Sequence, residues 1–151
     1  MTERARAVGD ELIAIHARLR EQLATVRTQV DAQLNDPTTT LPQPLSTDLR
    51  THCLTFCDAL HEHHQGEDRL GFPLLEKYFP ELRPALEKLR EEHVVVARIY
   101  HDLHEALRQD DPQRVRADLN RLAAELERHF DYEEEQLVTA LNKLPNPQPK
   151  P

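Results

Sequence analysis

The sequence is poor in residues that shape sheets and disulfide frameworks. It has 151 residues, of which none is tryptophan, three are glycine and two are cysteine. Leu, Ala, Glu and Arg dominate instead, which favours helices and leaves little turn chemistry for a β-sheet. Cys53 and Cys57 lie one helical turn apart, where a disulfide would strain a helix, so the sequence predicts two buried thiols and no secreted disulfide framework.

Positive charge and long apolar runs are also scarce. The net charge of -8 argues against nucleic acid as a partner, because binding phosphates needs clustered Lys and Arg. No run approaches the ~18 apolar residues of a membrane span, and the first residues, MTERARAVGDEL, carry acids where a signal peptide is apolar. The sequence therefore predicts one cytoplasmic domain with no membrane or nucleic-acid partner.

Proline-containing breaks divide the chain into four long segments. In each segment apolar side chains recur at alternating steps of three and four, which is the pattern of an amphipathic helix. Asp111 is the expected N-cap of the last helix, and Pro112 is expected at its first helical position. The predicted helices span roughly 3–33, 46–70, 81–109 and 112–142, with breaks at 35–46, 71–73 and 110–112.

Four amphipathic helices with short connections predict an all-α protein, an antiparallel up-down-up-down four-helix bundle. The bundle is expected over residues 1–142, and residues 143–151 are expected to form a proline-rich, disordered tail. The stretch PLLEKYFP, between the second and third long helices, is expected to form a short extra turn or helix.

Histidine interrupts the apolar stripe of every predicted helix. At ~1.5 Å per residue, the four stripe histidines fall within about one or two turns of the same level in such a bundle. Two stripes also carry a glutamate one turn later, and a buried carboxylate is rare unless it is paired or bound to a metal. A metal site in the bundle core is therefore predicted. Its expected ligands are His16, His63, Glu67, His93, His129 and Glu133.

The ligand types narrow the choice of metal. Imidazole together with carboxylate suits iron, zinc or manganese. Two glutamates that could each span both ions, with two histidines per ion, suit a pair of ions better than one. A zinc or mixed-metal bundle without a redox role is the structural alternative.

The octapeptide HEHHQGED contains two overlapping histidine–acid pairs. His63 and Glu67 continue the apolar stripe of the second helix and are expected to face the partner helices. His64 and Asp68 lie ~100° further round the helix, towards a neighbouring helix or solvent, where a supporting or surface role is expected. His61 is expected to be exposed.

Other polar residues are expected to lie away from the metals. His52, beside the cysteines, comes eleven residues before His63, which is ~16 Å along a helix axis. It should therefore not share that ligand's metals. The acidic runs EEHVVV and DYEEEQ, beyond the ligands themselves, are expected to be solvated helix faces.

With these residues in place, the sequence resembles the hemerythrin-like family, also called HHE cation-binding domains, over residues 10 to about 142. The resemblance rests on His16, on HHQGED with the following FP, on EEH at 91–93 and on HFDYEE at 129–134. Together these pieces give the order H, HxxxE, H, HxxxE.

The resemblance implies a non-haem di-iron centre inside a four-helix bundle, with an oxo or hydroxo bridge. One ion would be held by His16 and His63 and the other by His93 and His129, with Glu67 and Glu133 bridging.

The sequence departs from the founding oxygen carriers of that family in its third long helix. Those proteins have a second histidine four residues after the ligand of this helix, and here that position is Ala97. The candidates for a replacement ligand are Tyr100, His101, Tyr132 and Glu134.

A second departure concerns the last long helix. The carboxylate of the oxygen carriers comes five residues after the histidine. Here the apolar stripe favours Glu133, which is ~40° from His129 on the helical wheel, over Glu134 at ~140°.

The absent histidine bears on function. An iron that keeps only two imidazoles has more open positions, which favours reaction with an oxidant over stable reversible carriage. The expected function is therefore reaction with peroxide or dioxygen, for example catalase-like disproportionation. Reversible binding or sensing of dioxygen or nitric oxide is the alternative.

Overall fold

The computed structural model describes residues 8–36 and 44–145, which fold as four long helices and one short one. The long helices are α1 (Val8–Leu34), α2 (Thr47–Gly66), α4 (Arg83–Arg108) and α5 (Pro112–Asn142), and the short helix α3 (Phe72–Tyr78) lies between α2 and α4. These residues contain no strand. The predicted all-α four-helix bundle is confirmed.

Neighbouring helices run antiparallel. At one end of the α1–α5 pair the N–H of Gly9 donates to Asn142 Oδ1 over 2.7 Å. Further along, Arg27 Nε donates to Asn120 Oδ1 over 3.2 Å, so residue numbers rise in α1 as they fall in α5. Contacts between α2 and α1, between α2 and α4, and between α4 and α5 follow the same rule.

The buried apolar side chains form two layers along the bundle. The smaller layer consists of Leu12, Phe72, Leu75, Leu86, Leu89, Leu137 and Leu141. The larger layer includes Leu19, Leu23, Phe56, Leu60, Val96, Leu103, Leu122, Leu126 and Phe130. His16 on α1, His93 on α4 and Glu133 on α5 each lie between a residue of one layer and a residue of the other, which places the site at the junction of the layers.

Side-chain caps start two of the long helices. Asp111 precedes α5 and its carboxylate accepts from the N–H of Arg114 over 3.2 Å, while Pro112 occupies the first turn. Ser46 caps α2 in the same way, with its hydroxyl accepting from the N–H of Leu49 over 3.2 Å. The predicted N-cap of α5 is thus confirmed.

The break predicted at residues 71–73 is wrong, because the backbone stays helical there. A π turn over Glu67–Gly71 joins α2 to α3, and the N–H of Phe72 donates to the carbonyl of Glu67, five residues earlier. Pro73 lies in the first turn of α3, where a missing N–H costs little. The chain turns only at Phe79, ahead of a short 3₁₀ turn over Pro80–Leu82.

Several predictions from sequence lie outside the described residues. They are the start of the first helix before residue 8, the loop over residues 37–43 and the proline-rich tail beyond residue 145. Within the described ranges, no helix combines the length and apolar composition needed to cross a lipid bilayer.

Candidate metal centre

The six predicted ligand residues come together where the two apolar layers meet. His16 lies on α1, His63 on α2 and Glu67 at the start of the π turn, while His93 lies on α4 and His129 and Glu133 lie on α5. His16, His129 and Glu133 are completely buried, at 0% exposure. The ligand atoms divide into two groups.

The first group consists of His16, His63, Glu67 and Glu133, whose ligand atoms all lie within 4.8 Å of one another. The Nε2 atoms of His16 and His63 are 3.3 Å apart. His63 Nε2 lies 3.6 Å from Glu67 Oε2, and His16 Nε2 lies 3.7 Å from Glu133 Oε2. This spacing is suitable for one metal ion.

The second group consists of His64, Glu67, His93 and His129, again within 4.8 Å of one another. His93 Nε2 lies 3.2 Å from Glu67 Oε1. The ring of His64 stacks on that of His93 with 3.9 Å between their centroids. Glu67 belongs to both groups, so the two candidate positions are adjacent.

Both glutamates face both groups. Glu67 turns Oε2 towards His63 and Oε1 towards His93. Glu133 turns Oε2 towards His16 and Oε1 towards His129, which is 3.3 Å away. Each carboxylate therefore offers one oxygen to each group, which is the arrangement of a bridging ligand.

The inward atoms fit a cation because they lack other partners. Among the described residues, buried side-chain atoms without a hydrogen-bond partner concentrate at this site. They are His64 Nε2, Glu67 Oε1, His93 Nε2, His129 Nε2 and both carboxylate oxygens of Glu133. A buried polar atom left unpaired costs about 1–3 kcal/mol. A cation bound among these atoms removes that cost, so the residues present fit a metal.

Burial shapes the electrostatics of the site. It lowers the pKa of His63 to about 4 and that of His64 well below its usual value, so both imidazoles are neutral and have a lone pair for a metal. Burial, reinforced by the adjacent Glu133, raises the pKa of Glu67 well above its usual value. Two carboxylates this close are unfavourable together unless a cation lies between them.

The family model that matches the chain is that of the hemerythrin HHE cation-binding domain, and the match covers residues 8–141. The chain belongs to this family. Membership implies a metal cation, in agreement with the two groups of histidine and glutamate side chains. Comparisons with curated proteins and with solved structures gave no match.

Three of the predicted ligand histidines of this HHE domain contact a carboxylate through the ring nitrogen that faces away from the site. In each case Nδ1 is 2.7–2.8 Å from a carboxylate oxygen, so an Nδ1–H that donates there leaves the Nε2 lone pair facing the site. Such pairs fix the orientation and tautomer of the ring. The pairs are His16 with Glu134, His93 with Asp68, and His129 with Glu92.

The prediction that the acidic runs are solvated faces is wrong for Glu92 and Glu134. Their side chains are only 20% and 22% exposed, and both contact predicted ligand histidines on neighbouring helices. Each is the immediate chain neighbour of a predicted ligand, which is the signal that could have identified them. The supporting role expected for Asp68 agrees with its contact to His93.

The surface role considered for His64 is also wrong. His64 is 6% exposed, and its ring lies against those of His93 and His129. The physical reason is that α2 packs between α1 and α4. Two faces of α2 about 100° apart therefore both point into the site, with His63 turned towards α1 and His64 towards α4. His61 is half-buried rather than exposed.

None of the four replacement ligands considered for the position of Ala97 belongs to either group within the described residues. Tyr100 places its hydroxyl 3.1 Å from His61 Nδ1. Glu134 contacts Nδ1 of His16, on the side of the ring away from the first group. His101 is exposed and Tyr132 packs against the smaller apolar layer.

The cysteines and His52 lie away from the HHE site. His52 is exposed and its Nδ1 is 3.2 Å from Gln29 Oε1. Cys53 and Cys57 are free thiols with 0% exposure. Burial raises their pKa values to about 11 and about 12. They act as small buried apolar residues.

A groove of about 350 Å³ reaches the first group from the side of α1, α2 and α3. His63 and Glu67 lie on its wall. The remaining wall is mainly apolar and includes Leu12, Ile15, Phe72, Leu75 and Leu137. A smaller cavity of about 170 Å³ lies between α2 and α4, beside the second group.

Proposed function

We propose that this HHE domain holds two iron ions, one in each ligand group, and reacts with hydrogen peroxide or dioxygen. The observation that carries the proposal is the orientation of Glu67 and Glu133, each of which offers one oxygen to each group. Two bridging carboxylates with imidazoles on both sides suit a pair of iron ions better than a single ion.

Bound iron supplies one-electron redox changes and coordination positions open to a small oxidant. The protein supplies the orientation of the ligands. Glu134, Asp68 and Glu92 accept the Nδ1–H of three imidazoles, which increases the basicity of the Nε2 atoms. His16, His93, His129 and Glu133 are at most 5% exposed, so solvent reaches the site mainly through the groove beside His63 and Glu67.

The groove supports a small neutral molecule as the reactant. Its apolar wall offers few partners to an anion or a large polar substrate. His63 and Glu67 lie on that wall, so a molecule in the groove can reach the first group. Peroxide, dioxygen and nitric oxide all satisfy this requirement. We also propose that the reaction takes place in the cytoplasm. The support for this location is the sequence, which has no long apolar run and carries acids in its first residues.

The test uses iron-loaded protein mixed with hydrogen peroxide, with evolved oxygen measured at an electrode. We expect turnover above that of the same concentration of free iron, and iron near two per chain with a near-ultraviolet band from an oxo bridge. His63→Ala should lose iron and turnover. His61→Ala, two residues away and outside both groups, should keep both.

Three results would contradict the proposal. Turnover no higher than that of free iron would reject the peroxide reaction. A stable coloured adduct of the reduced protein with dioxygen, bleached under vacuum and formed without turnover, would indicate reversible binding instead. Zinc in protein produced in iron-rich medium would indicate a structural metal.

A further inference from the structure

We propose that His64 is a direct ligand of the second metal position and supplies the imidazole that is missing from α4 at Ala97. The inference rests on the metal site proposed above but not on the reaction assigned to it. It makes the two positions unequal, with His16 and His63 at the first and three imidazoles at the second.

The first support is the burial of His64 without a partner. The residue is 6% exposed, and its Nε2 has no hydrogen-bond partner among the described residues. A histidine that serves only to fill a core normally has its ring nitrogens satisfied. The Nε2 atoms of His93 and His129, in the same group, are likewise buried without a hydrogen-bond partner among these residues, so an unpaired Nε2 is the mark of a ligand in this group.

The second support is the distance to the other ligands. A ring nitrogen of His64 lies within 4.8 Å of ligand atoms of Glu67, His93 and His129, all in one group. The ring is held there by stacking on His93 at an interplanar angle of 15° and by an edge contact with His129. The side chain is thus positioned by packing rather than by a polar partner.

The third support is the space beside Ala97. This residue comes one helical turn after His93, and together with His64 and His93 it lines the cavity of about 170 Å³ between α2 and α4. The short side chain of Ala97 leaves the α4 side of this cavity open, and the imidazole of His64 borders the cavity from α2. His64 on α2 can therefore supply the imidazole that α4 lacks at Ala97.

The inference changes which position has free coordination sites. The sequence suggested that the second ion, with His93 and His129, is poor in ligands. With His64 bound there, the first ion has fewer imidazoles, and it is the first group that borders the larger groove through His63 and Glu67.

The test is a titration of metal-free protein with Co²⁺ in the presence of a competing chelator, followed by the visible absorption of bound cobalt. We expect two ions for the wild type. His64→Ala should weaken one of the two by more than the ~10- to 100-fold typical of losing an outer partner of a ligand. The other ion should be unaffected, and the visible bands of the weakened ion should change. His61→Ala, one turn earlier on α2, is the matched control and should leave both ions as in the wild type.

Two rescue experiments separate loss of a ligand from loss of structure. Imidazole added to the His64→Ala protein should restore the second cobalt ion, because the deleted ring lies next to an existing cavity. The double variant His64→Ala with Ala97→His should restore it without added imidazole. His64→Gln, with a side chain of similar length, should keep the helical circular dichroism of the wild type and still bind the second ion weakly.

The inference is overturned if His64→Ala and His64→Gln, both folded, bind two cobalt ions with the wild-type affinity and spectrum. It is also overturned if neither rescue restores the second ion. Wild-type protein that binds a single cobalt ion would refute the paired iron function. In that case an unchanged spectrum in His64→Ala would overturn the role of His64 as well, and a changed one would support it.

Discussion

The carboxylate behind His16 gives a quantitative prediction for Glu134. Its Oε2 lies 2.7 Å from Nδ1 of the fully buried His16 and 3.2 Å from Arg20 Nη1. Loss of such a partner typically weakens metal binding 10- to 100-fold, which is about 1.4–2.8 kcal/mol. We expect Glu134→Gln, which keeps an acceptor but loses the charge, to lie near the lower limit and Glu134→Ala near the upper one.

The assay is a competition titration of iron or cobalt against a coloured chelator, at fixed pH and ionic strength. Glu127→Gln is the matched control, because Glu127 also binds Arg20, at 3.3 Å, but is 60% exposed and lies on the outer side of the same helix. An exposed pair of this kind contributes little. If Glu134→Ala binds metal as tightly as the wild type, or if Glu127→Gln weakens binding as much, the orientation of His16 by Glu134 is refuted.

Four further predictions concern stability, the thiols and removal of the metal. A Cβ at Gly9 would lie 2.5 Å from the Val138 carbonyl oxygen, so Gly9→Ala should cost about 1–3 kcal/mol and lower the melting temperature. A Cβ at Gly66 would have no atom within 4 Å, so Gly66→Ala should be neutral or stabilise α2 by about 0.5–1 kcal/mol in the same melts. A lower melting temperature for Gly66→Ala than for Gly9→Ala would contradict the packing of α1 on α5. Burial raises the pKa of Cys53 to about 11 and that of Cys57 to about 12. At pH 8 we therefore expect iodoacetamide to alkylate these thiols at least about 100-fold more slowly in the folded protein than in the unfolded protein. Loss of bound metal in the double variant Cys53→Ser with Cys57→Ser would contradict the separation of the cysteines from the site. A chelator should lower the melting temperature by removing a ligand that binds only the folded state, and an unchanged temperature after metal loss would contradict the site.

Periodicity and short connections were sufficient to predict the bundle from sequence, since four amphipathic helices joined in this way bury their apolar stripes in an antiparallel bundle. The predicted α5 matches the observed one from Pro112 to Asn142, and its N-cap is Asp111 as expected. The common height of the four stripe histidines along the bundle axis followed from the rise per residue and the alternating direction of the helices. These features depend on residues close together in the chain, so they can be predicted from the sequence.

The features that could not be predicted depend on how neighbouring helices pack. The helical wheel places His63 and His64 about 100° apart around α2. It does not reveal that α1 packs on the side of His63 and α4 on the side of His64. Gly71 and Pro73 suggested a break, whereas the chain continues through the π turn over Glu67–Gly71 into α3, whose Phe72 and Leu75 are buried. Glu92 is next to the predicted ligand His93 in the chain, but only the packing of α5 on α4 brings it to His129.

The junction between the two apolar layers has a consequence for cooperativity. The smaller layer joins the start of α1, α3, the start of α4 and the end of α5, while the larger layer holds the rest of the long helices together. A polar layer of histidines and glutamates separates them, so little apolar contact transmits stability from one to the other. A metal held by the proposed ligands, on α1, α2, α4 and α5 and at the first residue of the π turn, would join the two layers. We therefore expect the two layers to unfold separately in the metal-free protein and together once the cation is bound.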